Sequence, residues 1–416
     1  MIRETDQVSL VIILSFLILM QYIPNPVVNM NFKEKSEILI TCPKEIPQYL
    51  EKEIKALGFP VLYTRKAAVA TEGTLEDCMF LNMHIRTGHR VLYLLEKMRV
   101  QNGDVLYKNA KKIKWEEIIP IDGYFSVSSA VLNTTIKDTR FASYKLKDAI
   151  VDRLRDTKGK RPDSGPDEEK TVIFLYWKEN DCSIYIDTSG IPLTRRGYRK
   201  NPLKAPMQET LAAAALMAAG FDGTVNLANP MCGSGTILIE AAMMATNTPS
   251  GAFRTNFGFM HLIGYDHKVF DKICNEAASK IKKCEIKLSG SDISRDAVLA
   301  SNMNIGNAGF SNLIHIQRCD FRESHIPKGG KFLLIVNPEY GMRMGDEKNL
   351  EGTYRDIGDF FKNKCQGGKC FIFTGNLGLA KKVGLKADKR HVFWNSNIEC
   401  RLLEYEVYEG SKRFDD

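Results

Sequence analysis

Asn229-Pro230-Met231-Cys232-Gly233-Ser234-Gly235-Thr236 is the stretch whose reading settles the architecture. It stands between an apolar run that predicts a strand over Thr224 to Leu227 and an apolar helix over Ile237 to Ala245. Gly233 and Gly235 let backbone amides come close to a ligand, and the N-terminus of the following helix can orient polar groups or a carboxylate. No Walker lysine follows, which disfavours a site cradling a nucleoside triphosphate. Taken alone, the octapeptide also fits a tight strand-to-helix turn with no ligand.

The residues downstream narrow that choice. From an alanine-rich helix over Glu209 to Ala219, closed by Gly220, strands and helices alternate, which implies a parallel sheet. Strands are expected at Thr224 to Leu227, Lys287 to Ser291, Ile314 to Gln317, Phe332 to Val336 and Lys369 to Thr374, with a late pair near His391 to Trp394 and Cys400 to Val407. The second strand ends in Gly290-Ser291-Asp292, a carboxylate where a ribose diol would sit, and the third in Asp320-Phe321, a polar and an aromatic contact for an adenine ring. Either acid alone also fits a solvated strand end or a helix cap. Three in order point to a nucleoside cofactor, with Asn229, Pro230, Cys232, Gly233, Gly235, Thr236, Asp292, Asp320 and Phe321 as its candidate contacts.

The fourth strand, Phe332 to Val336, runs into Asn337-Pro338-Glu339-Tyr340-Gly341, at the carboxyl end where open parallel sheets place their chemistry. This loop resembles the Asn-Pro-Pro-Tyr loop of amino-methyltransferases. The Asn337 carboxamide oxygen and the Pro338 carbonyl can accept hydrogen bonds from an exocyclic amine while Tyr340 stacks on the base. An Asn-Pro turn with a buried tyrosine would read the same way. Asn337, Pro338 and Tyr340 are the candidate catalytic residues, and Glu339, standing where the pattern has a second proline, is expected to loosen the loop.

Upstream, Ser36 to Cys42 reads as a strand, Pro47 to Leu57 as an amphipathic helix, Thr74 to Val91 and Val91 to Met98 as largely helical, and Tyr124 to Val131 as a strand. Lys145 to Leu154 is expected to be helical, residues 157–170 a loop, and Val172 to Trp177 with Cys182 to Asp187 a strand pair. Next comes Arg195-Arg196-Gly197-Tyr198-Arg199-Lys200. Phosphate-binding cations around a stacking ring make Arg195, Arg196, Tyr198, Arg199 and Lys200 candidate RNA contacts, extended by Lys158, Lys160 and Arg161, although a solvated basic linker has the same composition.

A chain of 416 residues, 44% hydrophobic and 26% charged, has room for two or three cores and the balance of a soluble protein. The net charge is +8, and residues 31–200 are the more basic part, with 30 Lys and Arg against 24 Asp and Glu, which suits a polyanionic partner. Ten cysteines without a C-x-x-C pair fit neither a zinc site nor a disulfide framework and suggest a reduced, cytoplasmic setting, so no metal is expected. Val8 to Met20, 13 apolar residues, is short for a spanning helix and lacks the flanks of a signal peptide. A lone anchor stays open, but the preferred reading is a dispensable or over-extended start, with Met30 as a candidate true start because the domain pattern begins only after it, and membrane association is not expected.

The motifs together are similar to the bacterial THUMP-domain class I RNA methyltransferases, especially the 23S rRNA guanine-N2 group. The similarity is carried by Thr41-Cys42-Pro43-Lys44, Arg86-Thr87-Gly88-His89-Arg90-Val91, Lys147 to Asp152, Asp187-Thr188-Ser189-Gly190, Arg196 to Arg199, and Ala205 to Ala213, with the glycine and Asn337 loops in order behind them. It covers nearly all of residues 36–408. It implies an α/β architecture: a ferredoxin-like segment (31–75), a THUMP RNA-binding domain (76–190) and a Rossmann-like methyltransferase sheet (191–408), flanked by an apolar extension (1–30) and a tail (409–416). The implied cofactor is S-adenosylmethionine and the implied partner RNA, in 23S rRNA or a ribosome assembly intermediate. Asn229 departs from the group's usual Asp and Glu339 from its Pro, and the group's longest members carry a second methyltransferase domain that this chain ends without. Guanine methylation in tRNA, adenine-N6 chemistry, and an RNA-binding assembly role with activity lost through Glu339 remain open at this level.

Overall fold

The computed structural model describes residues 33–133, 138–200, 203, 206–327, 331–340 and 346–407. The apolar run Val8 to Met20, Met30, Ala205, Gly341 and the tail 409–416 lie outside the described residues. The N-terminal half forms one eight-stranded sheet from β1 (Ser36–Thr41), β2 (Tyr63–Arg65), β3 (Ala68–Gly73), β4 (Arg90–Arg99), β5 (Tyr124–Leu132), β6 (Asp163–Ser164), β7 (Thr171–Lys178) and β8 (Asp181–Asp187), in the order β2-β3-β1-β4-β8-β7-β5-β6. Its helices are α1 (Pro47–Ala56), α2 (Leu75–His84), α3 (Gly103–Ala110) and α4 (Thr139–Lys158). Pro47 opens α1, whose Tyr49, Leu50 and Ile54 turn inward, and Thr74 with Asp77 forms a capping box at the start of α2.

Residues 91–98, expected to be helical, are a strand. Val91, Leu92 and Tyr93 are buried in succession because β4 lies inside the sheet, pairing with β1 on one side and β8 on the other. A run buried on both faces shows no alternation, so its period cannot separate it from a helix. The segment 157–170 is likewise less irregular than expected: α4 runs on to Lys158, ends at Gly159 with φ +67°, and Asp163–Ser164 pairs with β5.

The second half holds α5 (Glu209–Ala218), β9 (Asn226–Pro230), α6 (Thr236–Ala245), α7 (His267–Ser279), β10 (Leu288–Asp292), α8 (Arg295–Asn307), β11 (Ile314–Arg318), β12 (Phe332–Val336), α9 (Asp346–Lys364), β13 (Lys369–Thr374), α10 (Leu377–Ala380), β14 (Lys389–Asn395) and β15 (Ile398–Glu406). They form a sheet in the order β11-β10-β9-β12-β13-β15-β14, parallel from β11 through β13 and closed by an antiparallel hairpin. Starting from β9 the chain builds outward through β10 and β11, then returns to place β12 on the other side of β9. That reversal opens a crevice at the carboxyl ends of β9 and β12.

A polar seam joins the halves. Arg254, buried, donates to the carbonyl oxygens of Ser189 (3.1 Å), Ile191 (2.8 Å), Pro192 (3.0 Å), Arg195 (3.0 Å) and Asn256 (3.3 Å), and burial brings its pKa down to about 9. Arg86 donates to the Thr248 carbonyl (2.7 Å), and Glu53 accepts from the backbone N–H groups of Arg86 (2.8 Å) and Thr87 (2.9 Å). The Ser250 hydroxyl donates to the Ile85 carbonyl at 2.7 Å.

This seam corrects the reading of residues 195–200 as one RNA-facing surface. Arg196 and Tyr198 are each 1% exposed. Tyr198 donates to Glu240 at 2.9 Å, and Arg196 donates to the carbonyls of Leu193 (2.8 Å) and Arg86 and faces Glu240. Arg199 donates to the Met207 carbonyl and the Thr236 hydroxyl, 2.7 Å each, and faces Glu209. Arg195 and Lys200 alone among the five candidates are exposed. A buried cation is retained where carbonyls and carboxylates replace its water, and these positions supply both.

Candidate active site at the strand ends

The parallel pairing of β9 with β12 sets Ala228 beside Leu334 and brings the two loops that follow to one end of the sheet. Asn229, 1% exposed, donates its amide to the Ile335 carbonyl at 2.7 Å, and its Oδ1 has no partner among the described residues. Asn337, on the adjacent strand end, also has a buried Oδ1 without a partner among the described residues. Buried acceptors are ordinarily satisfied, because an unpaired one costs about 1–3 kcal/mol. Two at the switch point of one sheet mark where a ligand's N–H groups belong.

The glycine loop is tightly wound, with Met231, Gly233 and Gly235 at φ +58°, +55° and +80°. Cys232 N–H donates to the Ser291 carbonyl (3.0 Å), Gly233 N–H to Asp292 (3.0 Å), the Ser301 hydroxyl to the Gly233 carbonyl (2.6 Å) and the Asn304 amide to the Ser234 carbonyl (3.2 Å). A Cβ on Gly233 would meet nothing within 4 Å, so the loop is open there, whereas one on Gly290 would come within 2.5 Å of Leu238 and 3.3 Å of Cys232. Gly290 therefore lets α6 settle against β10 under the loop.

The remaining expected cofactor contacts divide. Pro230 is the last residue of β9; Thr236 is buried and its hydroxyl accepts from Arg199. Cys232 is buried and its thiol pushed up to about 12 by desolvation, so it stays neutral. Asp292, half-buried, accepts from Gly233 and Ser294, and so sets the loop's position as well as standing beside it. Asp320 is paired with Arg322 at 2.8 Å, which lowers its pKa. Phe321 is buried, 8% exposed, and packs at right angles to Phe360 at 5.7 Å.

Glu339 was expected to loosen the second loop, yet that loop is tied at three points. Tyr354 donates to the Glu339 carbonyl (3.3 Å), Asn376 to the Tyr340 carbonyl (3.4 Å) and Asn395 to the Tyr340 hydroxyl (3.2 Å). The Glu339 side chain itself is exposed. The Tyr340 ring lies where a Cβ on Gly375 would come within 3.1 Å of it. Ser301, Asn304, Tyr354, Gly375, Asn376 and Asn395 were not anticipated from sequence, since each acts through a fold contact and none sits in a motif. Among the described residues no group of three or more His, Cys, Asp or Glu side chains could hold a metal ion.

Comparison with known proteins bears on this geometry. Residues 196–404 match the family model described as the RMKL-like methyltransferase domain, residues 37–92 the RlmL ferredoxin-like domain and residues 100–187 the THUMP domain. The chain is 32% identical over 381 residues, 89% of its length, to a ribosomal RNA large subunit methyltransferase K/L of Pseudomonas paraeruginosa. This chain belongs to the RMKL-like methyltransferase family. It spans about half the length, 53%, of that relative. Family membership accords with the fold: a "possible methylase" from Clostridium difficile 630 superposes with TM-score 0.82 at 27% identity, covering 91% of this chain and 100% of that one. SMU.472, solved in complex with SAH, gives 0.81 at 24% identity with the same coverage. Within the family's methyltransferase region lie both loops, and the ferredoxin-like and THUMP matches fall on the eight-stranded sheet.

Proposed function

We propose that the chain transfers a methyl group from S-adenosylmethionine to the exocyclic N2 amine of a guanine in large-subunit ribosomal RNA, in the cytoplasm. The observation that carries this reading is the pair of buried, unpartnered carboxamide oxygens of Asn229 and Asn337 on adjacent strand ends. One fits the ammonium of the cofactor's methionine part, the other the N–H of a base amine, which is the division of labour that methyl transfer to an amine requires.

The donor set suits that cofactor: an open glycine loop, Asp292 beside it and a neutral thiol. When bound, the cofactor supplies an activated methyl on a sulfonium. Asn337 and the Pro338 carbonyl hold the amine with its lone pair directed at that methyl, and Tyr340, fixed by Asn395, stacks on the base. No strong base is needed, because orientation supplies most of the acceleration. The target must be unpaired or flipped out to reach Tyr340.

The relatives' name, the THUMP match and the surplus of positive charge support RNA as the substrate. The three bonds that hold the Glu339 loop favour an active enzyme over an assembly factor that has lost its chemistry. The test is incubation with methyl-labelled cofactor and unmodified ribosomal RNA, followed by nucleoside digestion. Label in N2-methylguanosine is expected; label only in another nucleoside, or none, overturns the reading.

A further inference from the structure

Arg199 belongs to a segment with the composition of an RNA contact, yet the fold sets it against the glycine loop. Its Nη2 donates to the Thr236 hydroxyl and to the Met207 carbonyl, 2.7 Å each, and its Nε lies 3.3 Å from a Glu209 carboxylate oxygen. Thr236 is the first residue of α6, directly after Gly235, and its hydroxyl lies 3.4 Å from that of Ser234. The guanidinium is therefore fixed where the loop passes into α6, with Glu209, the first residue of α5, on its other side.

Two features of this junction are unfinished. The first is Nη1 of Arg199, which makes no hydrogen bond with the described residues and, unlike the sealed Nε, is not shut off from the surface. Both hydrogens of Nη2 are committed and Glu209 stands at Nε, so Nη1 is the donor left over, bonded to the same carbon as the nitrogen that holds Thr236. The second is the start of α6. Its N-cap residue is Gly235, at φ +80°, and no side chain caps the helix. The first N–H groups of an α-helix have no partner within it and carry the positive end of its dipole.

We propose that Arg199 binds the carboxylate of the cofactor's methionine part, with the first backbone N–H groups of α6 completing the contact. The inference rests on the cofactor reading above and deepens it. Asn229 Oδ1, an acceptor, suits the ammonium of that amino acid and disfavours its carboxylate, which needs donors of its own. A guanidinium N–H beside an uncapped helix start supplies them, and hydrogen bonds between ionised partners are about twice as strong as neutral ones. Glu209 holds the guanidinium by its other edge without occupying Nη1.

The test is calorimetric titration of the full chain, without RNA, with S-adenosylmethionine and with decarboxylated S-adenosylmethionine, which keeps the sulfonium and the ammonium. Wild type is expected to bind the decarboxylated compound about tenfold or more weakly than S-adenosylmethionine. In Arg199→Gln that difference should shrink to about threefold or less, through weaker binding of S-adenosylmethionine alone, and Arg199→Lys, which keeps a charge, should restore part of it. A clamp between α5 and α6 with no part in recognition would weaken both compounds alike, and that result overturns the proposal, as does an undiminished difference in Arg199→Gln. Equal binding of the two compounds by wild type overturns it as well, in a comparison that needs no variant to fold. Wild-type protein that binds neither compound overturns the cofactor reading itself, and is recognised before any substitution is made.

Discussion

The seam between the halves and the crevice at the ends of β9 and β12 are both buried and polar, yet they keep different accounts. In the seam each charged group is met through part of its side chain: Arg254 has five carbonyls, and the atoms left unpaired, one N–H each on Arg254 and Arg86 and one carboxylate oxygen of Glu240, sit beside others of the same group already bonded. In the crevice the unpaired atoms of Asn229 and Asn337 are the one acceptor each carboxamide owns. Polar burial that closes on itself holds a fold together; polar burial left open on one chemical side receives something else.

Arg254→Ala should probe the closed region most severely. Leaving five carbonyls without their donor is expected to destabilise the chain by about 3–5 kcal/mol, read as a drop in denaturation midpoint. If the midpoint holds, the seam is not what joins the halves. Asn337→Ala is the counterpart in the open region. It should slow methyl transfer by about 10²–10³ while the melting temperature and cofactor affinity stay put, a separation that the seam variants should not show.

A pH titration sharpens the contrast. His89, in the seam with its Nε2 3.0 Å from the Thr210 hydroxyl, has its pKa lowered to about 4 by burial and the nearby Arg196 and Arg90. The unfolded chain takes up that proton near pH 6.5, so stability is retained above this value and falls as pH drops toward about 4, by about 3 kcal/mol in full. His89→Gln should flatten this arm of the denaturation profile; an unaltered acid slope would remove His89 from the account.

The smallest effect separates the buried from the exposed part of 195–200. Arg195→Ala with Lys200→Ala should weaken RNA binding by about threefold to tenfold with a shallower salt dependence. Tyr198→Phe should leave RNA affinity unchanged and lower stability by about 1 kcal/mol, since its hydroxyl serves Glu240. RNA binding equally sensitive to both would reverse the division.

The crevice was more legible in the sequence than the seam, for physical reasons. Glycines at positive φ and an Asn-Pro step after an apolar strand are local requirements, so residues 229–236 and 337–340 announce themselves, and Phe332–Val336 and Lys369–Thr374 fall where the pattern set them. What Arg196 and Tyr198 do depends on Glu240 and Arg86, 44 and 110 residues away, and no local pattern carries that. The misread Val91 to Met98 has the same cause, because its strand character comes from β1 and β8 on either side. Asn395 and Gly375 were invisible for want of any motif; only the folded sheet brings the ends of β14 and β13 to Tyr340.

The pairing of β4 with β8 across seven residue pairs carries a thermodynamic consequence. It welds the ferredoxin-like and THUMP regions into one hydrogen-bonded ladder, so neither can unravel without exposing the other's edge. Scanning calorimetry should accordingly record residues 36–187 melting as a single cooperative block, with no separate endotherm for either region.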